Sequence, residues 1–398
     1  MAILAMMLEQ HAGKLRLNFK EPQYFLYVGL FIAGLMSHIS WFYWEGLMDN
    51  WITLFRLCFF GILLFGCCTS VSHLRWIARA FVIIAMVMAF HALLQDARGY
   101  GFVGHRPIRS WRPNVVGLVP RTRFFGIFED PNDLGQFLVT AIPFCFVLFK
   151  RKIFWGLGIS LALAAFLYRA NMTTLSRGAD VGFLGMVGVL VIIWIFRRYF
   201  LIGLGLGLLG VMAAIPVVVP RIGDFWERIN LWGQANYAWR TRPIFGVGMG
   251  MIRDYTTASQ VVHNAFVGVY AEIGVFGFFF WMTLNMLVVF GLVQTRIALR
   301  HCDDPEGQWL YKLSAWGLAA FAGFLGSGYF LSRGFIFPLF FLTAMLGAVP
   351  YLAKGYVPEG KVYKLGFSVK ETIILGIPVS LLTIAYTYFS IVVINLQR

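Results

Sequence analysis

About eleven stretches of this chain stay apolar for close to twenty residues at a time, and no other feature limits its fold as sharply. A hydrocarbon core roughly 30 Å thick takes about 20 helical residues to cross. Inside it every backbone amide and carbonyl must find a partner within the protein, so only helices and closed barrels span. Barrel strands alternate over about ten residues, whereas these runs are continuous. They fall at 24–44, 51–70, 76–95, 133–149, 152–170, 179–196, 199–219, 265–294, 311–330, 335–353 and 371–394. Only 13% of the residues are charged, against about 25% in soluble domains. The sequence therefore predicts an all-α, polytopic transmembrane bundle of about 11–12 spans, one domain over 1–398. The run 265–294 is too long for one upright crossing, and its Gly274 and Gly277 permit close packing or a bend.

Lysine and arginine in the short loops orient the bundle. With Lys14, Arg16 and Lys20 inside, the other inner loops carry Arg75, Lys150-Arg151-Lys152, Arg197-Arg198, then Arg296, Arg300 and Lys312, then Lys354, Lys361, Lys364 and Lys370. Two long loops, 96–132 and 220–264, are then outside; both are rich in Trp, Arg, Gly and Pro, which reads as ordered chain. All nine lysines lie inside, while Arg98, Arg106, Arg109, Arg112, Arg121, Arg123, Arg169, Arg177, Arg221, Arg228, Arg240, Arg242, Arg253 and Arg333 lie outside. Only arginine offers a planar fork for two phosphate or carboxylate oxygens. The net charge of +15 sits in short loops, with no basic domain or tail, which argues against nucleic acid. Membrane lipids or a phosphorylated substrate are the better match. Five cysteines without a CxxC pair predict neither a disulfide framework nor a metal cluster, and no cofactor is expected. No cleavable signal is evident, so the first span reads as an uncleaved anchor.

Segment 221–239 reads as a helix lying on the outer surface. Ile222, Phe225, Trp226, Ile229 and Trp232 follow helical spacing, and Arg221, Asp224 and Arg228 share another face. That charged face is either a solvated ion pair or an anion clamp in which Asp224 holds an arginine. His263 stands where the second outer loop meets the membrane; a neutral imidazole there is able to take a proton, and a structural histidine at a helix start is the plainer alternative. His38, His91 and His105 also fall on the outer side, with interfacial structural roles expected of the first two. Glu129, Asp130 and Asp133 offer hard oxygens for a divalent ion, but Asp130-Pro131 also suits the start of a helix. Arg177, beside Ser176 and Gly178, either snorkels to headgroups or binds phosphate. Arg106, Arg109 and Arg112 recur every third residue between prolines; a polyproline-type stretch aligns them along one edge for lipid phosphate, a diphosphate or an anionic glycan. Glu272, nine residues past His263, faces away from it on a helix.

Four stretches together resemble the O-antigen ligase and polymerase superfamily of bacterial surface-polysaccharide enzymes. They are Phe128-Glu129-Asp130-Pro131-Asn132-Asp133-Leu134-Gly135, Leu175-Ser176-Arg177-Gly178-Ala179, Arg242-Pro243-Ile244-Phe245-Gly246-Val247-Gly248, and His263-Asn264-Ala265-Phe266 running into Ala271-Glu272-Ile273-Gly274. The resemblance covers about residues 120–290. It implies a GT-C-type glycosyltransferase of the bacterial inner membrane, with its active site facing the periplasm. Its donor is a glycan on a polyprenyl (undecaprenyl) diphosphate, and its acceptor is lipid A-core, a growing glycan or a protein hydroxyl. By resemblance Arg177 is the arginine before the central periplasmic loop, His263 the histidine after it, and Arg228 or Arg221 the arginine early within it. Arg177, Arg221, Arg228 and Arg242 are then candidates for the diphosphate, with Asp224, Asn132 and Glu272 in support and no metal. The expected reaction is metal-independent and inverting, with His263 serving the acceptor hydroxyl. The rival classes are a transporter or flippase of polysaccharide or lipid-linked glycan, marked by broken helices and deep charges, and a scaffold in a secretion complex.

Overall fold

A computed structural model describes residues 18–111, 117–148, 154–218, 226–332 and 334–396. Its secondary structure is helical except for one two-stranded hairpin. The chain divides into two compact units. The first holds Met1–Val71, Gly205–Gly307 and Tyr329–Arg398, and the second holds Ser72–Leu204 and Gln308–Gly328.

In the first unit lie α1 (Pro22–Ile39), α2 (Trp44–Cys67), α8 (Trp226–Thr241), α9 (Ala265–Ala298), α11 (Phe337–Gly347, continued by a turn at Val349–Ala353) and α12 (Val369–Leu396). The central element is α9, packed against α12, α1, α8 and α11. It buries Tyr270, Phe278 and Trp281, whose large apolar surfaces hold the unit together. The second unit contains α3 (Val71–Arg98), the hairpin of β1 (Ile108–Trp111) and β2 (Leu118–Arg121), α4 (Pro131–Cys145), α5 (Phe154–Thr174) and α6 (Arg177–Phe196). Its centre is α4, which packs against α5 and α6 and buries nearly every side chain. Two helices, α7 (Phe200–Val218) and α10 (Pro305–Gly328), carry the chain between the units.

Within the described residues, each apolar run read from the sequence overlaps one of these helices. Six of them are long and apolar enough to cross a membrane: α2, α3, α6, α9, α12 and the segment Phe337–Tyr356. The chain is thus a helical, multi-span membrane protein. Helix starts follow local chemistry. Asp130 caps α4, its carboxylate accepting the Asn132 amide, with Pro131 in the first turn, where a missing N–H costs nothing. Ser176 caps α6 through the Ala179 amide, and Asn264 caps α9 through the amides of Phe266 and Val267.

Two local expectations are corrected. The apolar stripe of α8 does not lie on an outer surface facing lipid, because Ile229 and Trp232 are fully buried within the first unit, where the helix packs on α9 and α12. The indole of Trp232 explains the choice: its N–H needs an acceptor when buried, and the Val262 carbonyl supplies one at 2.8 Å. Residues 221–225, with Arg221, Ile222, Asp224 and Phe225, lie outside the described residues, so the charged face is described only from Arg228 onward. The arginine-rich stretch after Gly104 is not a polyproline segment either. Residues 108–111 pair antiparallel with 118–121, and a strand alternates every second residue, so a spacing of three does not align side chains on one edge. Arg112 and Arg333 lie outside the described residues.

The long helix α9 breaks at Gly274, whose φ of 66° and ψ of −173° are open essentially to glycine alone. A break strands amides and carbonyls that a helix would pair. Here the preceding loop takes them up. Val247 and Gly248 donate to the carbonyls of Ala271 and Glu272 at 2.9 and 3.0 Å, while Val275 and Phe276 donate to Pro243 and Ile244 at 2.8 and 3.0 Å. Gly246 is required at the crossing, since a side chain there would meet the Glu272 carbonyl oxygen at 2.3 Å. About 36 Å of helix remains after the break, enough by itself for a 30 Å core.

Candidate functional site

The segment Tyr329–Ser332 gathers the two residues of the first unit that the sequence marked most strongly. The Ser332 hydroxyl accepts the His263 backbone amide. The Phe330 carbonyl accepts from the Arg228 guanidinium at 3.0 Å. Between them, the buried Trp232 ring meets Tyr329 at 5.8 Å while its N–H holds Val262, the residue before His263. Phe266, the second residue of α9, closes on Tyr329 at 5.9 Å. So α8 delivers Arg228, the start of α9 delivers His263, and one short segment binds both.

His263 sits at φ 52°, a left-handed backbone that a non-glycine side chain adopts at a cost of about 1–3 kcal/mol. Such strain persists only where the surroundings over-determine it, and here the Ser332 bond and the buried Asn264 cap do so. The cap carboxamide takes the Phe266 and Val267 amides at 3.0 and 3.2 Å. Those two amides are therefore already occupied. Sequence reasoning passed over Tyr329, Phe330 and Ser332. The signal was the Tyr-Phe-Leu-Ser-Arg-Gly stretch, a polar interruption between two apolar runs.

Arg242 and Glu272 are engaged elsewhere in the same unit. The Arg242 guanidinium lies over the Trp41 ring, 3.4 Å from its centroid, and Trp41 is fixed in turn by its indole N–H on the Ser37 carbonyl at 2.8 Å. Tyr255 adjoins this pair; burial pushes its hydroxyl above the ordinary range, Arg242 pulls it back, and Asp254 raises it further. The Glu272 carboxylate faces the backbone of Gly250 and Ile252, with Arg253 nearby. The quoted stretches Arg242–Gly248 and Ala271–Gly274 are thus partners, zipped backbone to backbone across the break in α9.

The other two quoted stretches meet in the second unit. Arg121 donates to Asn132 Oδ1 and to the Thr174 carbonyl, both at 2.9 Å, tying the start of α4 to the end of α5. Asn132 returns two bonds to Asp130. A side chain at Gly135 would meet Thr174, Asn171 and Ala179 at 2.8–3.0 Å, so the stretch 128–135 lies against 171–179. Arg177 is the first residue of α6 and is exposed. Arg121, absent from the sequence-based site, is the arginine that joins the two stretches. Asp130 is committed to capping, and among the described residues no three His, Cys, Asp or Glu gather where a metal ion would bind.

A second cluster in that unit pins the first long loop. His91 Nδ1 accepts the Phe102 amide at 3.0 Å, so a neutral ring carries its proton on Nε2, which faces His105 Nδ1 at 3.2 Å. Gln95 adds bonds to the His105 carbonyl and from the Arg123 amide. Burial holds the His105 imidazole below its ordinary pKa, Arg123 lowers it further, and Glu129 opposes. His38 is likewise buried, beside Tyr43.

No protein-family model matches the sequence, and no curated protein matches it either.

Proposed function

We propose that this chain is a membrane glycosyltransferase that moves a glycan from a polyprenyl (undecaprenyl) diphosphate to an acceptor hydroxyl during assembly of a surface polysaccharide. The observation that carries this reading is the attachment of Arg228 and His263 to the one segment Tyr329–Ser332. It puts a cation suited to a diphosphate and a proton acceptor on a shared, rigid support. In the reaction, His263 takes the proton of the acceptor hydroxyl as its oxygen attacks the anomeric carbon. The bond from that carbon to the diphosphate oxygen breaks with inversion, and the polyprenyl diphosphate leaves with the electron pair. Arg228 stabilises the charge that grows on the leaving group, usually the largest contribution such a site makes. A general base adds about 10²- to 10⁴-fold. The Phe330 carbonyl fixes one edge of the guanidinium, so its plane is set before the donor arrives. The proposed setting is the bacterial inner membrane with the site toward the periplasm; lipid A-core, a growing glycan or a protein hydroxyl is the acceptor. Arg177 lies in the second unit and is a donor-binding candidate by the resemblance alone.

One observation speaks for a transporter or flippase, the break in α9. In transporters, unwound backbone at a break serves the substrate or ion, near the bilayer midplane. Here the freed groups of residues 271, 272, 275 and 276 are paired with the loop 243–248, and a full crossing length of helix follows the break. Both facts favour a structural break near one membrane surface. Proteoliposomes loaded with lipid-linked glycan distinguish the readings. Glycan joined to an acceptor, and lost in His263→Ala and Arg228→Lys at normal protein levels, is the expected result. Full transfer in both variants would sink the mechanism, and movement of donor without transfer would establish the rival.

A further inference from the structure

We propose that one face of the hairpin β1–β2 rests on the headgroup layer of the membrane leaflet at which α3 ends. The base of the hairpin is nailed to helix ends. Gln95, in the last turn of α3, donates to the His105 carbonyl at 3.2 Å and accepts the Arg123 amide at 2.9 Å. Arg123 closes the base by donating to the Arg106 carbonyl at 3.2 Å. On the other strand, the Thr122 amide donates to the Thr173 carbonyl, the Thr122 and Thr173 hydroxyls meet at 2.7 Å, and Arg121 reaches the Thr174 carbonyl. Thr173 and Thr174 are the last residues of α5. Helix α3 has the length and hydropathy of a span, and Gln95, Asp96 and Arg98 mark where its apolar run stops. The hairpin therefore starts at the level of a membrane surface.

The strand register then sorts its side chains. Ile108, Ser110, Val119 and Arg121 share one face and are half-buried. Arg109, Trp111, Leu118 and Pro120 share the other and are exposed, Trp111 by 70% and Leu118 by 60%. A tryptophan and a leucine directly opposite each other, with an arginine alongside and no carboxylate on the face, match the apolar boundary and phosphate layer of a lipid interface. A water-facing strand pair would carry polar residues at these positions. Two strands alone are marginal in water, and a lipid surface supplies the missing cover. The inference does not depend on the proposed transferase activity or on which leaflet is concerned.

The test places single nitroxide labels at Trp111→Cys and Leu118→Cys in the full chain, with the exposed Cys67 replaced by Ser. The protein is reconstituted in phosphatidylcholine–phosphatidylglycerol vesicles. Collisions with lipid-soluble oxygen and a water-soluble nickel chelate are compared with those of an inner-loop reference, Lys361→Cys. Labels at 111 and 118 are expected to favour oxygen several-fold over the reference, and Arg109→Glu is expected to shift the 118 label toward water. Nickel collisions equal to the reference show a face in water and overturn the proposal. Shielding from both reagents shows cover by protein and overturns it too. Should the cysteine at 111 prevent folding, Trp111→Phe in bromolipid vesicles serves instead: lost quenching supports the lipid contact, and unchanged quenching refutes it.

Discussion

Gly274→Ala tests the account of the broken helix most directly. The native φ of 66° and ψ of −173° cost an L-residue about 1–3 kcal/mol. The new methyl would also lie 2.1 Å from the Ile244 carbonyl oxygen and 2.6 Å from the Gly246 amide nitrogen. Both are backbone atoms, so relief requires the loop 243–248 to back away from the helix. That withdrawal removes up to four hydrogen bonds of 2.8–3.0 Å, each worth about 0.5–1.5 kcal/mol net. With all four lost, the sum is at least about 3 kcal/mol, placing this among the severe single substitutions. For a unit of roughly 240 residues, about 2–4 °C per kcal/mol converts it to a fall of about 6–12 °C in thermal midpoint. Intrinsic fluorescence of detergent-solubilised protein reads the midpoint. Gly268→Ala is the control: the position lies in the same helix with open space around it, so the change should be neutral or stabilising by up to about 1 kcal/mol. If Gly274→Ala melts within a degree or two of the parent, the idea that this glycine is conformationally required is wrong.

Removing the proton acceptor in His263→Ala should lower transfer by about 10²- to 10⁴-fold in a single-turnover assay with lipid-linked donor, without changing the thermal midpoint. Asn264→Ala deprives α9 of a cap that serves two amides, and a loss of about 0.5–2 kcal/mol is expected from thermal unfolding. Arg121 and Asn132 should couple by about 0.5–3 kcal/mol in a double-mutant cycle with Arg121→Ala and Asn132→Ala; additive effects would show that the pair ties nothing together. Acid should loosen the first loop. Because His105 titrates lower when the loop is docked than when it is released, docking is fully favoured above the free value of about 6.5 and weakens as pH falls below it. Hydrogen exchange at Gly101–Arg123 should rise between about pH 6.5 and 5 after correction for intrinsic rates, and in His105→Gln this dependence should flatten.

The spans were readable because a bilayer enforces a long apolar period, and capping chemistry placed Asp130, Pro131 and His263 at or beside helix starts. Gly274 and Gly277 were legible as allowing close packing or a bend, and the break falls at Gly274. What could not be read was partnership. Nothing local in Arg121 says that it binds Asn132 eleven residues on and Thr174 beyond, and nothing in Arg242 says that it covers Trp41. The hydrophobic stripe of α8 was legible, but whether lipid or protein covers such a stripe depends on what else reaches it. Here the acceptor at Val262 and the surfaces of α9 and α12 decided for protein. The arginine spacing after Gly104 misled because proline and period suggested one extended conformation while cross-strand pairing selected another.

The break in α9 also bears on how the chain is made. Residues 243–248 leave the ribosome before residues 271–276, so the receiving loop is synthesised before the groups it must satisfy. The 24 residues after Gly274 are long enough to cross the bilayer as an ordinary helix, with only the amides of Val275 and Phe276 drawing on the loop. Residues 271 and 272 find their partners in that loop, and His263, ahead of them, meets Ser332. A substitution that loosens the loop 243–248 is therefore expected to leave the helix after Gly274 inserted while undoing the pairing across the break.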